Sequence, residues 1–392
     1  MTAELYRRTS PQLFWRTLMH PEPTAENWLA AAEAAARVLP PTARSDGSGI
    51  DCLLARTLGE EQFGPDHWRL SRAKRLYYRL KPLLPRTLTR RLRRLTRASV
   101  ESSFPLGWPI EPRYARFQWE LVHHLLAKSG QATFPYIHFW PGGRQYAFVL
   151  THDIETAAGQ THARKVADLE ASYGFRSSFN VVPEHYPVDR GLVDELRRHG
   201  FEIGVHGLKH DGKLFSSHAE FRRRAVRINA YLKELGAVGF RAPLTHRHPL
   251  WMQALEIEYD LSFFDTDPYE PIPGGTMSLW PYEIGRFVEL PYTLVQDYTL
   301  TAVLGETTPR LWLQKVDFLE SYSGMVLLNT HPDYLRSPTT WQIYNEFLAT
   351  MSRRDGYWHA LPHQVATWWR ARSAAPSLDA LPDATEGRIT AA

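Results

Sequence analysis

The feature that most constrains this chain is an alternation of short apolar strands with helical stretches, running from about residue 146 onward, in which four strands end on polar, ligand-capable residues. YAFVLTHDIE carries Asp153 and Glu155. EIGVHGLKH carries His206 and His210, GFRAPLTH carries Arg241, and MVLLNTHPDY carries His331. The pattern predicts strands at 146–151, 176–182, 202–206, 238–241, 261–264, 287–290 and 324–330. It predicts helices at 160–173, 189–199, 217–235, 308–322, 341–352 and 362–373. Strands alternating with helices make an α/β fold built on a parallel sheet or barrel. In both, the C-terminal edge of the strands carries the active site. Acids and histidines gathered at that edge point to a metal-dependent hydrolase.

At 392 residues and 43% hydrophobic, the chain is long enough for one large domain and an appendage. Cys52 is its only cysteine, which excludes an internal disulfide and a thiolate metal site, so a metal here must use His and carboxylate. A single thiol suits a reducing compartment. The opening MTAELYRRTSPQLFWRTLMHPEP has no long apolar run, which predicts no secretory leader. No stretch of about 20 apolar residues predicts a membrane span, so the expected location is cytoplasmic.

Residues 1–140 read as a helical extension. Thr24 is placed to cap a helix over 24–39, 41–50 reads as a loop and 113–129 as a further helix. FWPGGRQ at 139–145 turns into the first clear strand. Residues 141–374 form the main domain, and 375–392 are polar enough to predict a disordered tail. The stretch 69–97 holds 12 Lys or Arg and no acid; outside it, 34 basic residues face 42 acidic ones. Leu84, Leu88, Leu92 and Leu95 fall at helical spacing there. A basic amphipathic helix of this kind can lie peripherally on an anionic membrane face. Its ordinary alternative packs the leucines on the main domain. No nucleic-acid-binding motif accompanies the charge, so nucleic acid is not an expected partner.

Side chains at i and i+2 share a strand face, so Asp153 and Glu155 can look into one site. His206 and His210 are four apart, and one helical turn would aim both imidazoles the same way. Two His and one carboxylate leave open positions on a divalent ion. The second carboxylate is then free to act as a base, Arg241 could hold that base ionised, and His331 could protonate a leaving group. Singly, each has a structural reading: a turn acid, a solvated acid, an ion pair, a core histidine. His359 and His363 (HALPH) share the four-residue spacing but enclose Pro362 at a helix start, and read as structural.

The ordered set of strand-Asp, His-x-x-x-His, Arg-x-Pro, an Asp/aromatic segment and Leu-x-x-His resembles the polysaccharide deacetylase family, the NodB-homology fold, over about residues 141–374. The resemblance implies a distorted barrel of parallel strands and helices. It also implies a divalent metal, usually zinc, and hydrolysis of an N-acetyl group on a carbohydrate. Residue by residue it implies Asp153 as the base and Glu155, His206 and His210 as metal ligands. Arg241 and Pro243 match the motif that braces the base; Leu328 and His331 match the last motif, with His331 as general acid. The backbone N–H near Leu244 becomes a candidate oxyanion donor. SFFDTDPYEP stands where the fourth motif belongs, with Asp265 or Asp267 as a tether for His331.

The chain departs from the family in Thr151-His152-Asp153-Ile154-Glu155, where adjacent aspartates are usual, and in Gly207, where Ser or Thr is usual. His152, His246 and His248 add imidazoles near the site, and Trp280, Tyr269 and Tyr292 are candidates for a sugar platform. Two other readings stay open: an amidohydrolase acting on a non-sugar C–N bond, and a non-catalytic glycan-binding module.

Overall fold

The structure, a computed structural model, describes residues 2–41, 50–64, 66–70, 74 and 97–391. The basic stretch 69–97, apart from Arg69, Leu70, Lys74 and Arg97, lies outside the described residues. Among the described residues no helix is long and apolar enough to cross a membrane.

The strands are β1 (Thr133–Ile137), β2 (Tyr146–Ile154), β3 (Ser178–Val181), β4 (Glu202–His206), β5 (Gly239–Arg241), β6 (Tyr259–Asp260), β7 (Tyr282–Ile284), β8 (Phe287–Glu289), β9 (Met325–Thr330), β10 (Tyr357–His359) and β11 (Glu386–Thr390). The main sheet runs β10-β2-β3-β4-β5-β6-β8-β7, with β9 pairing β2 on its other side. All its neighbours are parallel except β7 and β8, which form a hairpin. Helices Ala157–Ser172, Arg190–Arg198, His218–Glu234, Arg310–Ser321, Pro338–Met351 and Pro362–Ala374 alternate with the strands. The sheet curls towards closure, because the N–H groups of Thr293 and Leu294, just past β8, both donate to the Leu327 carbonyl of β9 at 3.1 Å. The result is a distorted α/β half-barrel.

Local sequence explains these elements. All nine residues of β2 are buried, as a strand covered on both faces requires. The helices after β2, β3 and β4 start on Thr156, Asp189 and Ser217, whose side-chain oxygens each accept a backbone N–H three residues on. Thr24 forms a reciprocal capping box with Asn27. The strand expected at 261–264 is formed by Tyr259–Asp260, with Phe264 making only an isolated bridge to Tyr292.

The tail is not disordered. Glu386–Thr390 pairs antiparallel with β1, and Gly387 lies flat on the Tyr136 ring, where a Cβ would come within 2.5 Å. Polar composition suggested a tail without structure, but an edge strand is held by backbone hydrogen bonds, which composition does not register. The extension and the barrel share one hydrophobic core across residue 140. Phe14 and Trp15 pack on Phe139, Phe14 also meets Trp280 and Trp369, and Trp15 Nε1 donates to Gln118 Oε1 at 3.0 Å. Arg372, fully buried, donates to the Phe14 and Ile137 carbonyls at 2.8 and 2.7 Å. Glu60 forms a buried ion pair with Arg247 in the loop after β5. Trp15→Ala should therefore cost about 3–5 kcal/mol of global stability, read as a lower denaturation midpoint. An unchanged midpoint would show that the extension does not share the core.

Candidate active site

Parallel register decides which side chains meet. Asp153 on β2 stands beside Asn180 on β3, Thr151 beside Asn329 on β9, and His206 on β4 beside Arg241 on β5. Asp153, 2% exposed, is gripped by side chains from three strands, β3, β5 and β9. Its Oδ1 accepts from Asn180 Nδ2 at 2.9 Å and Arg241 at 3.2 Å, and its Oδ2 accepts from Asn329 Nδ2 at 3.0 Å. Arg241 is fixed in turn by the Leu261 carbonyl at 2.8 Å, by Thr151 Oγ1 and by Asn329 Oδ1. Burial opposes the charge of Asp153, but Arg241, the nearby imidazoles and Asn180 outweigh it and hold the carboxyl far below the usual carboxylate range. Gly204 makes room for this network, since a Cβ there would fall 2.0 Å from Asn180 Oδ1.

Glu155, just beyond β2, turns its Oε1 to His210 Nε2 at 3.1 Å. Its loop is clamped by Asp333, whose carboxylate accepts from the Glu155 N–H at 3.0 Å and from the Thr156 hydroxyl. Gly159 lies against the same carboxylate, where a Cβ would sit 2.1 Å from Asp333 Oδ2. Burial works against its charge, yet the His210 contact and His331 lower Glu155 to about 2. His206 Nδ1 lies 3.1 Å from the Arg241 carbonyl. A carbonyl can only accept, so Nδ1 carries the proton, and burial lowers His206 to about 4, leaving a neutral ring with a free Nε2 lone pair. His210 is reached through the left-handed Gly207 (φ 63). A Cβ on residue 207 would meet Pro243 Cγ at 2.3 Å, which accounts for glycine at this position.

Ligating atoms of Glu155, His206 and His210 lie within 4.8 Å of one another. His210 Nε2 is buried without a hydrogen-bond partner of good geometry. One carboxylate and two imidazoles, one a neutral acceptor and one left unsatisfied, fit a divalent cation such as Zn2+. The side chains of Asp153 and Arg241 lie beside this cluster and brace each other rather than joining it.

His331 follows β9. Its Nδ1 contacts Asp297 Oδ1 at 2.7 Å, while its Nε2 faces Asp153 Oδ2 and Glu155 Oε1, each at 4.0 Å. Burial opposes its protonation, but Asp297, with Glu155 and Asp153, raises it to about 10. The tether is thus Asp297, not Asp265 or Asp267. Asp265 is held by Lys315 Nζ at 2.7 Å and Asp267 accepts the Tyr269 N–H at 2.7 Å, both on the chain that crosses the barrel mouth. Asp297 instead lies two residues before the irregular helical turn Thr299–Leu304, and its Oδ2 also accepts the His331 N–H at 2.9 Å.

Asp153, Glu155, His206, Arg241 and His331 line a cavity of about 100 Å³ with Leu244, Thr245, Tyr269, Glu270, Gln296, Tyr298 and Tyr334. Leu244 is left-handed (φ 59) at its wall. Of the expected sugar platform only Tyr269 lines the cavity. Trp280 is 0% exposed and stacks on Trp119, and Tyr292 is buried behind the wall. None of the additional histidines lines that cavity. His152 bridges Thr330 Oγ1 and Glu170 at 2.7 and 2.6 Å, His248 stacks on Trp251, and His246 lines a small crevice together with His210 and Pro243. His359 and His363 bind Phe148 O and Glu202. Sequence reasoning missed Asn180, Asn329, Asp297, Asp333 and Tyr334, whose hydroxyl reaches Glu155 Oε2 at 3.3 Å. The asparagines obey the strand-end rule and were findable by it; Asp297 carries no local signal.

No family model and no curated protein matches the chain. Among solved structures it is similar to a protein from Mycobacterium smegmatis assigned as a polysaccharide deacetylase, at 21% identity over 60% of this chain and 94% of that one, TM-score 0.48. It is also similar to Puue allantoinase (16%, 59% and 92%, TM-score 0.48) and to an assigned polysaccharide deacetylase from Pseudomonas aeruginosa PAO1 (17%, 59% and 93%, TM-score 0.46). Every TM-score is below 0.5, so the chemistry of the site has to stand on its own geometry.

Proposed function

We propose that this chain is a metal-dependent hydrolase that removes the acetyl group from an N-acetylated amino sugar of a glycan. One observation carries the reading. An ionised carboxylate, Asp153, and a protonated imidazole, His331, face each other at 4.0 Å in one cavity, beside the Glu155, His206 and His210 cluster. The order of the motifs and the polar walls of the cavity support a sugar amide as the substrate.

A divalent ion on Glu155, His206 and His210 would supply Lewis acidity toward the amide oxygen and acidify a bound water, as a base held as low as Asp153 requires. Asp153 takes the proton of the attacking water on Oδ2, since Oδ1 is already shared by Asn180 and Arg241. Arg241 holds Oδ1 and Asn329 holds Oδ2 in place. His331 delivers the proton on Nε2 to the departing nitrogen, and Asp297 stabilises the imidazolium before the transfer. Base and acid are separate groups whose environments push their pKa values apart, the arrangement that acid–base hydrolysis needs.

Elemental analysis should find one divalent ion per chain. Acetate release from N-acetylated chitooligosaccharides should disappear on chelation and return with metal. Absence of bound metal after loading, or turnover of small cyclic amides but of no N-acetyl sugar, would overturn the proposal.

A further inference from the structure

Two walls of the cavity are held from outside the barrel. After β5 the chain turns through Leu244 and Thr245, which both line the cavity and both take left-handed backbone, φ 59 and φ 51. Such backbone is strained at a leucine and more so at a β-branched threonine, and it persists only where surrounding contacts fix it. Arg247, 2% exposed, supplies one of these contacts: its Nη1 donates to the Thr245 carbonyl at 2.9 Å. Arg247 is held in turn by Glu60 of the extension, 3% exposed. Its Nε donates to Glu60 Oε2 at 2.5 Å, and its Nη2 donates to Oε1. Burial opposes the charge of Glu60, but Arg247 and His67 lower it to about 2, so both partners are ionised.

The same carboxylate reaches a second wall. Glu60 Oε1 also accepts the Gly275 N–H at 2.8 Å. Gly275 closes the loop that brings Tyr269 and Glu270 to the cavity, next to the point where Asp267 and Gly274 exchange backbone hydrogen bonds at 2.9 and 3.1 Å. Thr245 Oγ1 joins the two walls by donating to Glu270 Oε2 at 2.7 Å. We infer that Glu60 is a positioning residue, which fixes both cavity walls through Arg247 and Gly275, so that the N-terminal extension completes a site whose reacting groups all lie in the barrel. Desolvation offsets much of the attraction within a buried ion pair, so this pair matters for the geometry it sets more than for the stability it adds. The anchoring does not depend on the reaction; its effect on turnover rests on the hydrolase reading above.

Amide hydrogen exchange, read by mass spectrometry, tests the anchoring without turnover. Glu60→Ala should accelerate exchange over 242–248 and 266–276 by at least about 10-fold. The control is Trp15→Ala, which lowers global stability through lost packing on Trp119 and Phe139, outside both segments. It should leave both at the wild-type rate. Wild-type rates in Glu60→Ala, or equal acceleration in the two variants, would overturn the inference. Arg247→Lys keeps a charge opposite Glu60 but gives up the fork that also reaches Thr245. It should loosen 242–248 and spare 266–276. If Glu60→Ala does not fold, Arg247→Lys decides, and wild-type exchange over 242–248 would overturn the inference. Where wild type deacetylates chitooligosaccharides, Glu60→Ala should raise KM by about 10–100-fold at unchanged metal content, the scale of a displaced substrate contact. An unchanged KM would overturn the positioning role. A wild type without turnover would sink the hydrolase reading, and exchange alone would then decide on Glu60.

Discussion

Asp153→Asn will still take up a divalent ion and will lose turnover by about 10²–10⁴-fold, the scale of a missing general base. The metal-fitting atoms belong to Glu155, His206 and His210, and Asp153 is not among them. What the substitution removes is the charge that Arg241, Asn180 and Asn329 hold in place. It also leaves Arg241, 1% exposed, without its buried counter-charge. Breaking one side of a buried ion pair costs about 3–5 kcal/mol, so a lower melting temperature should accompany the lost rate. Glu155→Ala should behave oppositely and lose the ion first. The decisive pair of readings is metal content and turnover on the same preparation. Metal lost from Asp153→Asn but kept by Glu155→Ala would exchange the roles of the two carboxylates.

The contrast between these acids shows how far the sequence reaches. Asp153 and Glu155 were visible because a run of apolar residues ended on two carboxylates, and the period of a strand put them on one face. The same rule exposed His206, Arg241 and His331, each at a strand's end. Local rules also sufficed for the helices that alternate with the strands: those after β2, β3 and β4 begin on a capping side chain, and two later ones begin on Pro338 and Pro362. Long-range pairing was harder. β1 and β11 are separated by most of the chain and pair through backbone groups, so neither segment announces the other. Asp297 is invisible for a related reason: it lies in no strand and acts only because the barrel brings it to His331. The aromatic candidates failed differently. Trp280 and Tyr292 have the composition of a sugar platform, but a core needs the same residues, and only burial tells the two apart.

His331→Ala should slow deacetylation by about 10²–10⁴-fold, and the pH profile should show why. The folded pKa of His331 is raised to about 10; burial opposes this, and Asp297, with Glu155 and Asp153, more than compensates. The imidazole is therefore charged and able to donate at neutral pH, and activity falls as pH rises through the folded value. A group raised in this way adds stability that is complete below its unfolded value of about 6.5 and is lost as pH rises through the folded one. Asp297→Asn removes the largest favourable cause, so the alkaline limb of kcat must move to lower pH and the alkaline loss of stability must begin earlier. A divalent cation beside Glu155 acts in the same direction, because it offsets one of the charges that hold the proton on His331. Metal-loaded enzyme should then titrate His331 below the metal-free protein, a difference that NMR of the imidazole can read directly. A wild-type rate in His331→Ala would return this residue to a packing role. An alkaline limb that stays put in Asp297→Asn would mean that some group other than the Asp297–His331 pair supplies the proton to the leaving amine.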